Sequence, residues 1–243
     1  MSTLFGDDLI PRPRRELAPG AVHVPGWLTL EQQSWIADRF REWAAGPVPL
    51  RSASVRGHEM SVKTVCLGWH WQPYQYTREA TDVNGQRVLP MPEWMVRLGR
   101  LAVAEAYGQG LGASAYAPDT ALVNYYDAAA HMGMHQDRDE LSRQPVVSLS
   151  LGDTCIFRFG NAEGRGRPYE DIELASGDLF VFGGPSRLAY HGVTKVFANT
   201  APPGCGLAEG RVNITLRVTG MDEPEPPARR PEPRAQGKGQ GDR

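Results

Sequence analysis

The stretch Arg211-Val212-Asn213-Ile214-Thr215-Leu216-Arg217-Val218-Thr219 alternates without a break between polar and apolar residues. Successive side chains of extended backbone point to opposite faces. Val212, Ile214, Leu216 and Val218 therefore share one face, and Arg211, Asn213, Thr215, Arg217 and Thr219 share the other. Similar short runs are expected to form strands at 120–127, 145–151, 154–159, 171–174 and 178–182, with Gly, Pro and Asn clusters between them. Two helices come earlier. Thr29 and Gln32 have the spacing of a capping box ahead of Ile36, Phe40 and Trp43. Pro92 opens the second, whose stripe is Met95, Leu98, Ala102 and Ala106, and Gly108 ends it. Early helices followed by many short strands predict an α+β chain: a double-stranded β-helix, or jelly-roll, core with N-terminal helices packed outside.

A chain of 243 residues, 41 % hydrophobic, suits one sizeable domain with its own core. That domain is expected over 19–221. Residues 1–18 read as a loose arm with a basic cluster at Arg12, Arg14 and Arg15. Residues 222–243 are rich in Pro, Gly and charge, lack apolar periodicity, and read as a disordered tail. No run of 18 apolar residues offers a membrane span, and the N-terminus lacks a secretory pattern. Cys66, Cys155 and Cys205 match no metal or redox spacing and are expected as free thiols, which points to the cytoplasm. A monomer is expected. The formal net charge of -2 excludes a bulk polycation, so any nucleic acid must meet a local patch or pocket.

In an extended segment His135 and Asp137 project from one face, about 7 Å apart at the backbone. His191, in the segment AYHGV, can close a facial set with them. Two histidines and one carboxylate leave three metal positions open, the arrangement of non-heme Fe(II) oxygenases. The two arginines of the last alternating segment lie about 20 Å apart along the backbone, and their tips can lean together. The gap between them suits a short dicarboxylate, because the guanidinium fork pairs well with carboxylates. Asn124 and Tyr126 share a face and can donate to the same group. Taken singly, each of these segments is also compatible with ordinary surface or sheet decoration.

Together they are more specific. His135-x-Asp137, His191 and Arg211-x-Asn213-x-Thr215-x-Arg217, preceded by Asn124-x-Tyr126, resemble the AlkB family of DNA and RNA dealkylases. The resemblance extends to Met60-Ser61-Val62, Leu67-Gly68-Trp69, HQDRDE from His135, VSLSLG from Val147 and Gly183-Gly184-Pro185-Ser186-Arg187, and covers roughly residues 20–220. It departs at Val212 and Tyr125, where the family often has an aromatic and a basic residue. By this resemblance, His135, Asp137 and His191 bind Fe(II), and 2-oxoglutarate and O2 are co-substrates. Arg211 and Tyr126 hold the distal carboxylate of 2-oxoglutarate. Arg217 and Asn124 serve its chelating end, with Asn213 alongside. The implied reaction is oxidative demethylation of bases such as 1-methyladenine and 3-methylcytosine, releasing formaldehyde, succinate and CO2.

A base must leave its stack to reach a buried metal, and flat side chains must receive it. The resemblance assigns Trp69, within a nucleotide-recognition segment at about 50–90, to stack on the base. It assigns Tyr74 or Tyr76 to contact a phosphate. Asp139, two residues beyond the metal ligand Asp137, would favour a cationic base. Arg165 and Arg167 are further phosphate candidates or residues of a solvated loop. His23, His58, His70 and His131 read as structural. The expected partner is alkylated DNA, with modified RNA or tRNA, a protein or a small molecule as alternatives for the same chemistry, and a catalytically silent binding module as a third reading.

Overall fold

The computed structural model describes residues 12–222. The alternating segment at 211–219 becomes β14 (Arg211–Arg217), buried along its whole length in the middle of an eight-stranded antiparallel sheet. The strand order is β1 (Arg15–Ala18), β2 (Ala21–Val24), β12 (Leu179–Phe182), β9 (Val146–Gly152), β14, β7 (Thr120–Tyr126), β4 (His58–Leu67) and β3 (Arg51–Val55). A four-stranded antiparallel sheet runs β11 (Glu170–Leu174), β10 (Cys155–Phe159), β13 (His191–Val196) and β8 (Met132–His135). A separate hairpin joins β5 (His70–Gln72) to β6 (Gln75–Thr77).

The two faces of β14 have different neighbours, as the alternation requires. Val212, Ile214 and Leu216 belong to the core formed with α1 (Leu30–Ala44), α2 (Glu93–Tyr107) and the short α3 (Leu111–Ala115). Ile36, Phe40 and Trp43 supply the face of α1, and Met95, Ala102, Val103 and Ala106 that of α2. The polar face of β14 looks toward the smaller sheet, and Phe157 and Phe159 of β10 build a second core with Phe180 and Phe182 of β12. The expected capping box at Thr29 and Gln32 is present, with reciprocal hydrogen bonds of 3.2 and 2.9 Å. Gly108 ends α2 with a φ of 87°. Helices outside a two-sheet jelly roll are thus the observed architecture.

Two expectations shift. Six strands precede residue 78, where only a helix was expected; β1 to β4 widen the larger sheet, and β5 and β6 form the separate hairpin. The inner end of the expected loose arm is fixed: β1 pairs with β2, Arg12 forks onto Asp178 at 2.6 Å, and Arg15 meets Glu170. Buried Asp178 needs these partners, and its carboxylate also accepts from His23 and from the backbone of Gly26 and Ala175. The rest of the arm, 1–11, and the expected tail from 223 onward lie outside the described residues. Among the described residues, no helix is long and apolar enough to cross a membrane. Cys66, Cys155 and Cys205 are buried free thiols.

Candidate metal and co-substrate site

β8 and β13 pair so that His135 and His191 stand directly opposite each other. Gly192 makes the approach of the two strands possible, since a Cβ there would sit 2.5 Å from the Met132 carbonyl. Each imidazole Nδ1 lies 3.0 Å from the carbonyl two residues earlier, Gly133 for His135 and Ala189 for His191. A carbonyl only accepts, so Nδ1 donates in both rings, and in the neutral imidazole this leaves the lone pair on Nε2. Those Nε2 atoms converge on Asp137 at 3.6 Å, one on each carboxylate oxygen.

One ligand atom from each of His135, Asp137 and His191 falls within a group no wider than 4.8 Å. Asp137 Oδ2 is buried and has no hydrogen-bond partner. Two lone pairs and an orphaned carboxylate oxygen facing one point would repel each other unless a cation lay between them. The donor set therefore fits a divalent metal, and imidazole Nδ1 bonds of this kind are the usual support for metal-ligating histidines. Burial, with His135 close by, pushes the His191 imidazole down to about 4. Burial also works to raise the Asp137 carboxyl, but Arg217 and the two histidines outweigh it and hold the group below the usual carboxylate range.

The three groups line a cavity of about 430 Å³ between the sheets. Asn124, Tyr126, Arg211, Asn213, Thr215 and Arg217 line it too, as the sequence spacing implied. Their free valences differ. Arg211 is 1 % exposed, gives one bond of 3.0 Å to the Ser150 hydroxyl, and keeps Nε and Nη1 without partners. Unpaired buried donors of this kind are costly, so an anion is the ligand that Arg211 lacks. The Asn124 oxygen accepts from Thr64 at 2.8 Å, which leaves its amide nitrogen to offer. The Asn213 nitrogen is committed to Ser148 and the Leu149 carbonyl. Arg217 is committed as well, to Asp137 and Glu140, each at 2.9 Å. The two arginines differ in what they have left to offer: Arg211 keeps Nε and Nη1 unpaired, whereas Arg217 is an ion-pair partner of Asp137 and keeps only Nε unpaired.

The recognition segment is rearranged relative to expectation. Trp69 does not line the cavity, and the Arg78 guanidinium covers its ring at 3.6 Å. Two residues on, Trp71 does line it and donates its indole N–H to Asp139 at 2.9 Å. Tyr76 is buried with its hydroxyl on Glu140 at 2.6 Å, and so is withdrawn from any phosphate. Tyr74 is 58 % exposed at the cavity wall and accepts from Arg56 at 3.3 Å. Asp139, Arg165 and Arg138 also line the cavity. Sequence reading assigned no individual role to Trp71 or Glu140, although both sit inside segments it singles out, the aromatic run 69–76 and HQDRDE.

The model of the 2OG-Fe(II) oxygenase superfamily matches residues 20–217. A protein described as an alpha-ketoglutarate-dependent dioxygenase AlkB homolog, from Caulobacter vibrioides, is 47 % identical over 216 residues, covering 87 % of this chain and 93 % of its own. The DNA N(6)-methyladenine demethylase ALKBH1D of Arabidopsis thaliana is 29 % identical over 86 % of this chain. The chain spans about half of that relative's length, 51 %. A solved structure described as that of OsALKBH1 superposes with a TM-score of 0.75 at 31 % identity, covering 85 % of this chain and 100 % of its own.

Proposed function

This chain belongs to the 2OG-Fe(II) oxygenase superfamily and within it to the AlkB family, and on that premise we propose that it oxidatively removes alkyl groups from the bases of nucleic acid, with DNA as the substrate. One observation carries the reading. A single cavity joins the His135, Asp137 and His191 donor set, the unpaired guanidinium of Arg211, and a wall made of an indole and a carboxylate.

In this reading His135 and His191 hold Fe(II) through Nε2 and Asp137 holds it through its carboxylate. Arg211 anchors 2-oxoglutarate with its free donors, and Tyr126 and Asn124 complete the pocket. Iron and 2-oxoglutarate, when bound, would let O2 oxidise two partners: 2-oxoglutarate, to succinate and CO2, and the N-methyl group, which leaves as formaldehyde. The chain itself positions and excludes. The carbonyls of Gly133 and Ala189 hold the imidazoles in one tautomer. The phenylalanines beside His191 keep that side of the site dry.

On the cavity wall Trp71 offers the flat face for the base, in the role expected of Trp69, and Tyr74 and Arg165, which line the same cavity, meet phosphate. The catalytic unit runs over 19–221 with the recognition segment at about 50–90. It acts as a monomer in the cytoplasm, a compartment in keeping with three buried free thiols. Asp139 beside Trp71 favours a cationic base such as 1-methyladenine or 3-methylcytosine. The name of the Arabidopsis relative, which specifies N6-methyladenine, makes a neutral base the competing substrate.

A panel of oligonucleotides, each with one lesion, tests this. Asp139→Ala should slow kcat/KM on cationic lesions about tenfold or more, the value of one or two contacts of about 1–2 kcal/mol. N6-methyladenine should be affected much less. Equal losses on both classes would assign Asp139 to holding Trp71 in place and not to reading charge.

A further inference from the structure

Glu140 lies three residues beyond Asp137, is 1 % exposed, and sits at the centre of a buried network. Its Oε1 accepts from Arg217 at 2.9 Å and from the Tyr76 hydroxyl at 2.6 Å. Its Oε2 accepts from Arg187 at 3.0 Å. Arg187 also donates to the main-chain oxygen of Asp137 at 2.6 Å and to that of Gln144 at 2.7 Å. Arg217 reaches Asp137 Oδ1 at 2.9 Å with its other terminal nitrogen. Two carboxylates and two guanidinia thus neutralise one another inside the protein, the only condition under which such groups are cheap to bury.

Geometry gives Glu140 a specific task. A free arginine prefers to fork onto both oxygens of a carboxylate. Glu140 holds one terminal nitrogen of Arg217 away, so Arg217 takes only Oδ1 of Asp137 and leaves Oδ2 without a protein donor. That oxygen is the one that faces His191 Nε2. Resting on the metal reading above, we infer that Glu140 is a positioning residue. Its carboxylate restrains Arg217 and, through Arg187, the Asp137 backbone, so that Asp137 keeps one oxygen free for the metal. Tyr76, which comes from β6, ties the recognition hairpin to the same carboxylate.

Loss of the Glu140 charge has two consequences of one sign. Arg217 turns more fully onto Asp137 and competes with the metal, and two guanidinia lose a counter-charge beside a divalent cation. The test is titration of the full chain with Co(II) alone, followed by visible absorption, with melting of metal-free and metal-loaded protein measured in parallel. Glu140→Gln keeps the shape and should weaken Co(II) binding about tenfold or more, the usual effect of losing support behind a ligand. Tyr76→Phe removes a single hydroxyl and should weaken it several-fold. Both should shrink the rise in melting temperature that Co(II) produces. Should Glu140→Gln fail to fold, Tyr76→Phe decides alone. Variants that bind Co(II) within twofold of wild type, whatever their melting temperature, would overturn the role of Glu140 and leave the metal site intact. A wild type that fails to bind Co(II) would instead overturn the metal reading on which this role rests.

Discussion

His135 and His191 are direct cross-strand neighbours, with ring centroids 4.4 Å apart, although the chain runs through two strands of each sheet between them. With both Nδ1 atoms spent on carbonyls, both Nε2 atoms are available to one cation. His135→Ala, Asp137→Ala and His191→Ala should each abolish turnover and leave the circular dichroism spectrum unchanged. Zn(II), Co(II) and Ni(II) should inhibit in competition with Fe(II), because a donor set of this type does not select iron by affinity. Normal turnover in any one variant would remove that residue from the site.

Arg211→Lys and Arg211→Ala should both raise the KM for 2-oxoglutarate. The alanine change should cost about 2–5 kcal/mol, or roughly 30-fold to several thousand-fold. Co(II) affinity should hold, since Arg211 touches no proposed metal ligand. An unchanged 2-oxoglutarate dependence would mean that the unpaired donors of Arg211 serve some other anion.

Trp71 and Trp69 should separate cleanly. Trp71→Ala should raise the KM for a methylated oligonucleotide, since base–aromatic stacking is worth about 1–3 kcal/mol. Trp69→Ala should lower the melting temperature through lost packing under Arg78 while sparing the KM. The reverse pattern would restore Trp69 to the base.

That last pair shows where sequence reading reached its limit. The polar face of β14 and the His135, Asp137 and His191 set were legible because strict alternation and i, i+2 spacing convert directly into a shared face. Trp69 and Trp71 also lie two apart, so alternation alone cannot choose between them. Gly68, at φ 77°, follows the end of β4, so Trp69 lies in the turn and Trp71 within β5. The ion pairs that occupy Arg217 were hidden for another reason, namely that Glu140 and Tyr76 reach it from elsewhere in the chain. β5 and β6, of three residues each, are too short to show a period, and β8 and β13 carry glycines where strand patterns favour branched side chains.

Asp178 sets an acid limit on the fold. Burial works to raise its carboxyl, but hydrogen bonds from His23 and Arg12 outweigh it and hold the group below its usual value. A carboxylate depressed in the folded state contributes stability that is complete above its unfolded pKa, near 3.8, and is lost as pH falls through the lower folded value. The urea concentration needed to unfold wild type should therefore fall from about pH 4 downward. Asp178→Asn should be less stable at neutral pH by about 3 kcal/mol or more and flatter across the acid range. Parallel pH profiles for the two proteins would contradict this.

In the proposed reaction one cavity couples 2-oxoglutarate oxidation to removal of an alkyl group from a nucleobase. The most direct measurement is product stoichiometry on a single-stranded oligonucleotide carrying one 1-methyladenine, with Fe(II), 2-oxoglutarate and O2 supplied. One succinate and one formaldehyde should form for each adenine restored, and all three should vanish together in Asp137→Ala. Succinate that forms at the same rate without the methylated base, with no formaldehyde and no restored adenine, would contradict the claim.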